Sequence, residues 1–234
     1  IVGCLVGSEM CIRDSNDSMR IVLILLIPIF ISSCGSGSSE SETEGISPEP
    51  VPVVNIDPHQ VGTLSREIVH DNIIRSFILY VPDSYDRNSP TPLLFNFHGY
   101  GSNAEQQMNY GDFRSIADNE GFLILHPQGT RLPSTGSTHF NVGGWTRGSN
   151  IDDVGFTNYL INVISRLYNI DELKIFSTGM SNGGFMSYEL ACKLSARIAG
   201  IASVTGSMTP ETYDECVPDR PVTIIQMHGI EDTV

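Results

Sequence analysis

Gly179-Met180-Ser181-Asn182-Gly183 follows directly on Leu173-Lys174-Ile175-Phe176-Ser177, which reads as a short buried strand, and precedes a helix-like run from Gly184 to Leu194. A serine set in G-x-S-x-G between a strand and a helix has to sit on a sharp, strained turn that exposes its hydroxyl, and the flanking glycines let neighbouring backbone close on that turn. The chain is thereby committed to a strand-turn-helix unit with Ser181 at its apex, a candidate nucleophile, and Met180 beside it as a candidate pocket residue. The pattern alone also fits a structural Ser/Gly turn; the strand before it and the helix after it favour the elbow.

Four stretches of different composition divide the chain. Residues 1–18 contain Ser8-Glu9-Met10-Cys11-Ile12-Arg13-Asp14-Ser15, which resembles the translation of a sequencing adapter, so Met19 is expected to be the natural start. Residues 19–33 read as a signal: Met19-Arg20, an apolar run from Ile21 to Ile31 too short to span a bilayer, and Ile31-Ser32-Ser33 before Cys34. This resembles a bacterial lipoprotein signal, which implies a lipid on Cys34 and a membrane anchor, with an outer-membrane or cell-surface location, or else a periplasmic or secreted one. Residues 34–59 are an acidic Ser/Gly/Glu/Pro tether that cannot bury a core. Residues 60–234 suffice for one domain.

Within that domain strand-like and helix-like runs alternate. Ser65–His70 and Arg75–Val81 read as a hairpin about Asp71-Asn72, and Leu93–Phe97, Gly121–His126, Ile198–Val204 and Val222–Met227 read as further strands. Ala104–Asn119 and Asp152–Tyr168 read as helices, the latter with Phe156, Leu160, Val163, Ile164 and Leu167 on one face. Such alternation predicts an α/β fold with a mostly parallel central sheet covered by helices on both faces. Thirteen Lys and Arg against 27 Asp and Glu give a formal charge of −14, which argues against nucleic acid as a partner. Asp152 and Asp153 fall in the first turn of a helix, where carboxylates cap free N–H groups, and are expected to be structural. The six histidines show no H-x-x-x-H spacing, so neither metal nor cofactor is expected.

An acyl-transfer serine needs N–H donors aimed at the oxygen that gains charge. His98-Gly99-Tyr100-Gly101 follows a strand and supplies the H-G-x-G position, so Tyr100 and Asn182 are the expected oxyanion donors and His98 a pocket residue. Asp232, in His228-Gly229-Ile230-Glu231-Asp232 after a later strand, is the expected acid, with Glu231 competing. Trp145, the only tryptophan, either walls the acyl pocket or anchors the core. Cys192 and Cys216 remain once Cys4, Cys11 and Cys34 are set aside; in an oxidising compartment they are a disulfide, otherwise two buried thiols.

Together, Pro127-Gln128-Gly129-Thr130, the Trp145 segment, Asp152-Asp153-Val154-Gly155-Phe156, Thr178 to Gly184 and His228-Gly229-x-x-Asp232 resemble the secreted poly(3-hydroxybutyrate) depolymerase and feruloyl esterase family of α/β hydrolases. The resemblance covers about residues 64–234 and implies Ser181 as nucleophile, Asp232 as triad acid and a Cys192–Cys216 disulfide. It implies an ester as substrate: short-chain hydroxyalkanoate polyester first, feruloyl or acetyl esters on polysaccharide next. Rival classes are a serine peptidase of the prolyl-oligopeptidase type and a non-catalytic binding lipoprotein. The fold's chain order is Ser, Asp, His, and no histidine follows Asp232. His228 precedes Asp232 and stands too near it to serve. A truncation that removes the base and the C-terminal part of the fold is therefore expected, leaving these 234 residues essentially inactive.

Overall fold

A computed structural model describes Asp57 and residues 60–232. The adapter-like segment, the signal, Cys34 and almost all of the tether lie outside the described residues. The first two strands, β1 (Gly62–His70) and β2 (Ile73–Val81), form the expected antiparallel hairpin. Its two turn residues, Asp71 and Asn72, both have positive φ, 49° and 61°, the geometry that matches strand twist in a two-residue hairpin. β3 (Thr91–Phe97) and β4 (Leu123–Pro127) follow, then β7 (Ile170–Met180), β8 (Gly200–Val204) and β9 (Thr223–Met227). The seven strands run in the order β1-β2-β4-β3-β7-β8-β9, and every pairing from β4 to β9 is parallel.

Burial follows position in the sheet. All five residues of β4 are buried, and Leu93, Phe95 and Phe97 of β3 have no exposed surface, as strands covered on both faces require. All five residues of β9, the last strand among the described residues, are exposed. Residues 104–119, expected as one helix, form two: α1 (Ala104–Tyr110) and α2 (Arg114–Glu120). The break falls at Gly111, whose carbonyl accepts from Asn96 Nδ2, and at Asp112, whose carboxylate captures the Arg114 N–H. Two elements absent from the sequence reading are the small hairpin of β5 (Thr130–Arg131) and β6 (Thr138–His139), and α5 (Pro210–Glu215).

The long helix α3 (Asp153–Leu167) shows how the two acids divide their work. Asp152 is its N-cap, accepting from the Gly155 N–H at 2.7 Å. Asp153 is instead buried and paired with Arg75 of β2 at 2.6 Å, while the Arg75 guanidinium lies 3.9 Å from the centre of the Phe156 ring. Both are structural, but Asp153 ties helix to sheet rather than facing solvent. No helix among the described residues is long and apolar enough to cross a membrane.

Candidate active site

The last residue of β7 leads directly into Ser181, which caps α4 (Asn182–Lys193). Ser181 has φ 51° and ψ −118°, a conformation an L-residue holds only when its surroundings force it. Those surroundings are close-packed backbone. A Cβ on Gly183 would lie 2.2 Å from the Phe97 carbonyl oxygen, and one on Gly179 would lie 2.5 Å from the Gly183 carbonyl carbon. Only glycine lets β3, β7 and α4 approach this nearly. The Ser181 N–H donates to Val204 O at 2.8 Å, anchoring the turn to β8.

The loop after β3 lies against this turn. A Cβ on Gly99 would be 3.7 Å from Ser181 Cβ and 3.4 Å from Met180 O, so His98-Gly99-Tyr100-Gly101 and the serine form one packed unit. A turn closes from Ser102 N–H to Gly99 O and does not use the Tyr100 N–H. Asn182 is the first residue of α4, where a backbone N–H has no acceptor within the helix. Its side chain, wholly buried, fixes it: Oδ1 accepts from Phe140 N at 2.7 Å and Nδ2 donates to Phe140 O at 3.0 Å. That clamp was not foreseen from the sequence, which supplied only the backbone donor.

His98 has no exposed surface, and both ring nitrogens are engaged, Nδ1 with Gly99 O at 2.7 Å and Nε2 with the Gly129 N–H at 2.9 Å. Burial lowers its pKa to about 4, so the ring is neutral and donates from Nδ1. It therefore braces the loop from behind, where it was expected to line a pocket. Trp145, by contrast, is half-exposed, its ring 5.2 Å from that of Tyr100 and 6.4 Å from that of Phe185, both edge-on. Phe185 stands one helical turn after Ser181 and joins a short aromatic wall that the sequence did not reveal.

α5 positions this wall. Glu211 Oε2 accepts from the Gly144 N–H at 3.1 Å, its other oxygen meets Arg147, and Thr209 Oγ1 donates to Val142 O at 3.0 Å. The far end of α5 is joined to α4 by the Cys192–Cys216 disulfide, as the resemblance implies. Asp232 lies in a turn beyond β9, its N–H bonded to Gly229 O at 3.2 Å. Because β7, β8 and β9 are parallel and in register at Met180, Val204 and Met227, this turn emerges at the same sheet end as Ser181, two strand spacings away, roughly 10 Å. His228 Nε2 is 3.5 Å from Asp232 Oδ2, and its Nδ1 is 3.2 Å from Gln226 Nε2.

A mostly parallel sheet with a G-x-S-x-G turn at its carboxyl end defines an α/β hydrolase. No family model matches the chain. It is 31% identical over 160 residues to feruloyl esterase C of Emericella nidulans, covering 68% of this chain and 56% of that protein. It is 30% identical over 162 residues to feruloyl esterase B of Piromyces equi, covering 68% and 30%. A bifunctional acetylxylan esterase/xylanase of Neocallimastix patriciarum is 28% identical over 160 residues, 68% of this chain and 22% of that one. Among solved structures, a thermostable esterase matches with a TM-score of 0.56 at 16% identity, over 74% of this chain and 47% of that chain. The structure of native pOPH matches at 0.50 and 17%, over 63% and 51%. These structures share the fold. The chain has the α/β-hydrolase fold and is related in sequence to feruloyl and acetylxylan esterases, and spans between about a fifth and three fifths of the length of the curated relatives it matches.

Proposed function

We propose that the protein is a serine carboxylic-ester hydrolase that works through an acyl-enzyme. The observation that carries this reading is the strained Ser181 held at the sheet's carboxyl end with the Gly99–Tyr100 loop packed on it. Ser181 Oγ attacks the ester carbonyl, the Tyr100 and Asn182 N–H groups receive the developing negative charge, and the alcohol leaves after taking a proton. Water then releases the acid.

The proton carrier is a histidine oriented by Asp232, and in this reading it is not His228. One nitrogen of His228 faces Asp232 and the other faces Gln226, which leaves neither for Ser181. In this fold's chain order the base follows the acid, so we place it after Asp232. Of the two substrate classes drawn from the sequence, polysaccharide-linked feruloyl or acetyl esters now stand ahead of hydroxyalkanoate polyester. The named relatives are feruloyl and acetylxylan esterases, and the aromatic wall of Tyr100, Trp145 and Phe185 suits a planar acyl group. The signal and Cys34 support export as a lipoprotein.

The test compares residues 19–234 with the same reading frame continued to its stop codon, on methyl ferulate and p-nitrophenyl butyrate. The continued chain is expected to hydrolyse both esters, Ser181→Ala to abolish this, and His228→Ala to lower kcat less than threefold. Loss of a triad member costs several orders of magnitude. A His228→Ala loss of that size would make His228 the base, and turnover that survives Ser181→Ala would end the serine reading.

A further inference from the structure

Residues 138–141 form a strap whose successive residues hold different parts of the fold. Thr138 O accepts from the Gly101 N–H at 2.8 Å, and Thr138 Oγ1 donates to Ser102 O, so this end of the strap grips the loop that carries the Tyr100 N–H. Phe140 turns both its backbone groups to the Asn182 side chain, at 2.7 and 3.0 Å. Asn141 N–H donates to Asp153 Oδ2 at 2.7 Å, and Asp153 is paired with Arg75, which moors the far end to α3 and β2. The Phe140 ring packs 5.0 Å from that of Phe97 and 4.6 Å from that of His98, so the strap is held from the sheet side as well.

A carboxamide that accepts from and donates to one residue reproduces the paired bonds that strand neighbours exchange, and so fixes rotation as well as distance. Asn182, with no exposed surface, uses its whole side chain in this pairing. The N–H of the same residue is one expected oxyanion donor. The other, Tyr100 N–H, lies one residue before the strap's second anchor at Gly101. The path between the donors through the strap is therefore Asn182, Phe140, His139, Thr138 and Gly101. From Phe140 to Thr138 it covers two residue steps, roughly 7 Å of extended chain.

We propose that the Asn182 side chain is a positioning residue for ester hydrolysis: by clamping the 138–141 strap it holds the Asn182 and Tyr100 N–H groups at the separation one oxyanion needs. The role rests on the esterase reading. Donors serve a developing oxyanion only within about 2.7–3.1 Å of it, so a small shift of either is felt in the transition state and hardly in substrate binding. The oxyanion forms in both acylation and deacylation, so kcat falls whichever step limits it.

The experiment measures kcat and KM for p-nitrophenyl butyrate and methyl ferulate on the continued chain and its variants. Asn182→Ala is expected to lower kcat at least about tenfold, by the same factor on both esters, with KM changed less than about threefold. Thr138→Val releases Ser102 O at the other end of the strap and is expected to lower kcat about threefold. The double variant is expected to be no slower than Asn182→Ala alone, since both changes cut one tie. Asn182→Asp keeps the shape and the acceptor but lacks the donor until its carboxyl is protonated. Its kcat relative to the unsubstituted chain is therefore expected to rise towards one as pH falls from 8 to 5.5. His98, His139 and the Asp153–Arg75 pair, the titratable and charged groups beside Phe140, are common to both chains and cancel in that ratio. Should Asn182→Ala not fold, the Asn182→Asp ratio decides. A folded Asn182→Ala variant that keeps its kcat, losses that multiply in the double variant, or an Asn182→Asp ratio that stays low in acid would overturn the positioning role alone. A continued chain that cleaves neither ester would end the esterase reading and this role with it.

Discussion

Ser181 holds a backbone conformation that costs of order 1–3 kcal/mol, and the residues around it exist to hold it there. Ser181→Gly is therefore expected to be more stable than Ser181→Ala by about 1 kcal/mol, since glycine enters positive φ freely. Urea unfolding of the two variants checks this, and equal midpoints would remove the strain argument. Gly183→Ala forces a Cβ into the Phe97 carbonyl and is expected to cost about 3 kcal/mol or to leave the protein insoluble. These glycines were legible in the sequence because the elbow's spacing states a steric requirement. Asp153 was not. Its sequence neighbourhood looks like an exposed helix start, and only tertiary structure brings Arg75, 78 residues away, to meet it. Asp153→Ala leaves the guanidinium buried and unpaired and is expected to cost about 3–5 kcal/mol, read as a lower thermal midpoint.

Strands could be read from the chain where buried parallel strands are continuous apolar runs, as β3 and β4 are; β7, which reads as a short buried strand from Leu173 to Ser177, is instead exposed at Leu173, Lys174 and Phe176 and starts at Ile170. What escaped were elements whose reasons lie elsewhere in space. The break between α1 and α2 depends on Asn96 reaching the Gly111 carbonyl, and the two-residue strands β5 and β6 are held by each other and by the His98–Gly101 loop. α5 likewise follows from what it holds, the Gly143–Arg147 segment. The single tryptophan lies in that segment, with its ring against Tyr100 and Phe185, so tryptophan emission reports on how the segment is held. Glu211→Ala is expected to shift Trp145 emission to the red and raise its quenching by acrylamide, while Glu211→Gln, which can still accept from Gly144 N–H, is expected to shift it less. Unchanged emission in both would show that the wall does not depend on α5. Replacing Cys192 and Cys216 with serine frees the other end of α5 and is expected to lower stability by about 3 kcal/mol for a loop of this length, measured by denaturant unfolding.

At the scale of the whole molecule, acid lowers stability through buried imidazoles. His98 and His126 are both held neutral by burial, with pKa lowered from 6.5 to about 4. The unfolded chain takes up these protons as pH falls below 6.5, and the folded chain does so only near 4, so the stabilisation is complete above 6.5 and is lost between 6.5 and 4. The loss is expected to reach about 2–3 kcal/mol per histidine, visible as a falling urea midpoint across that window. A midpoint flat from pH 7 to 4.5 would contradict it. Neither histidine's role was legible in the chain, because burial depends on strands packed far along it.

The central claim is tested most directly by treating the continued chain with a fluorophosphonate ester and locating the adduct by peptide mass spectrometry. A single adduct on Ser181, abolished by prior heat denaturation, is the expected result. A folded protein that forms no adduct, or one modified at another residue, would contradict the assignment of Ser181 as the nucleophile.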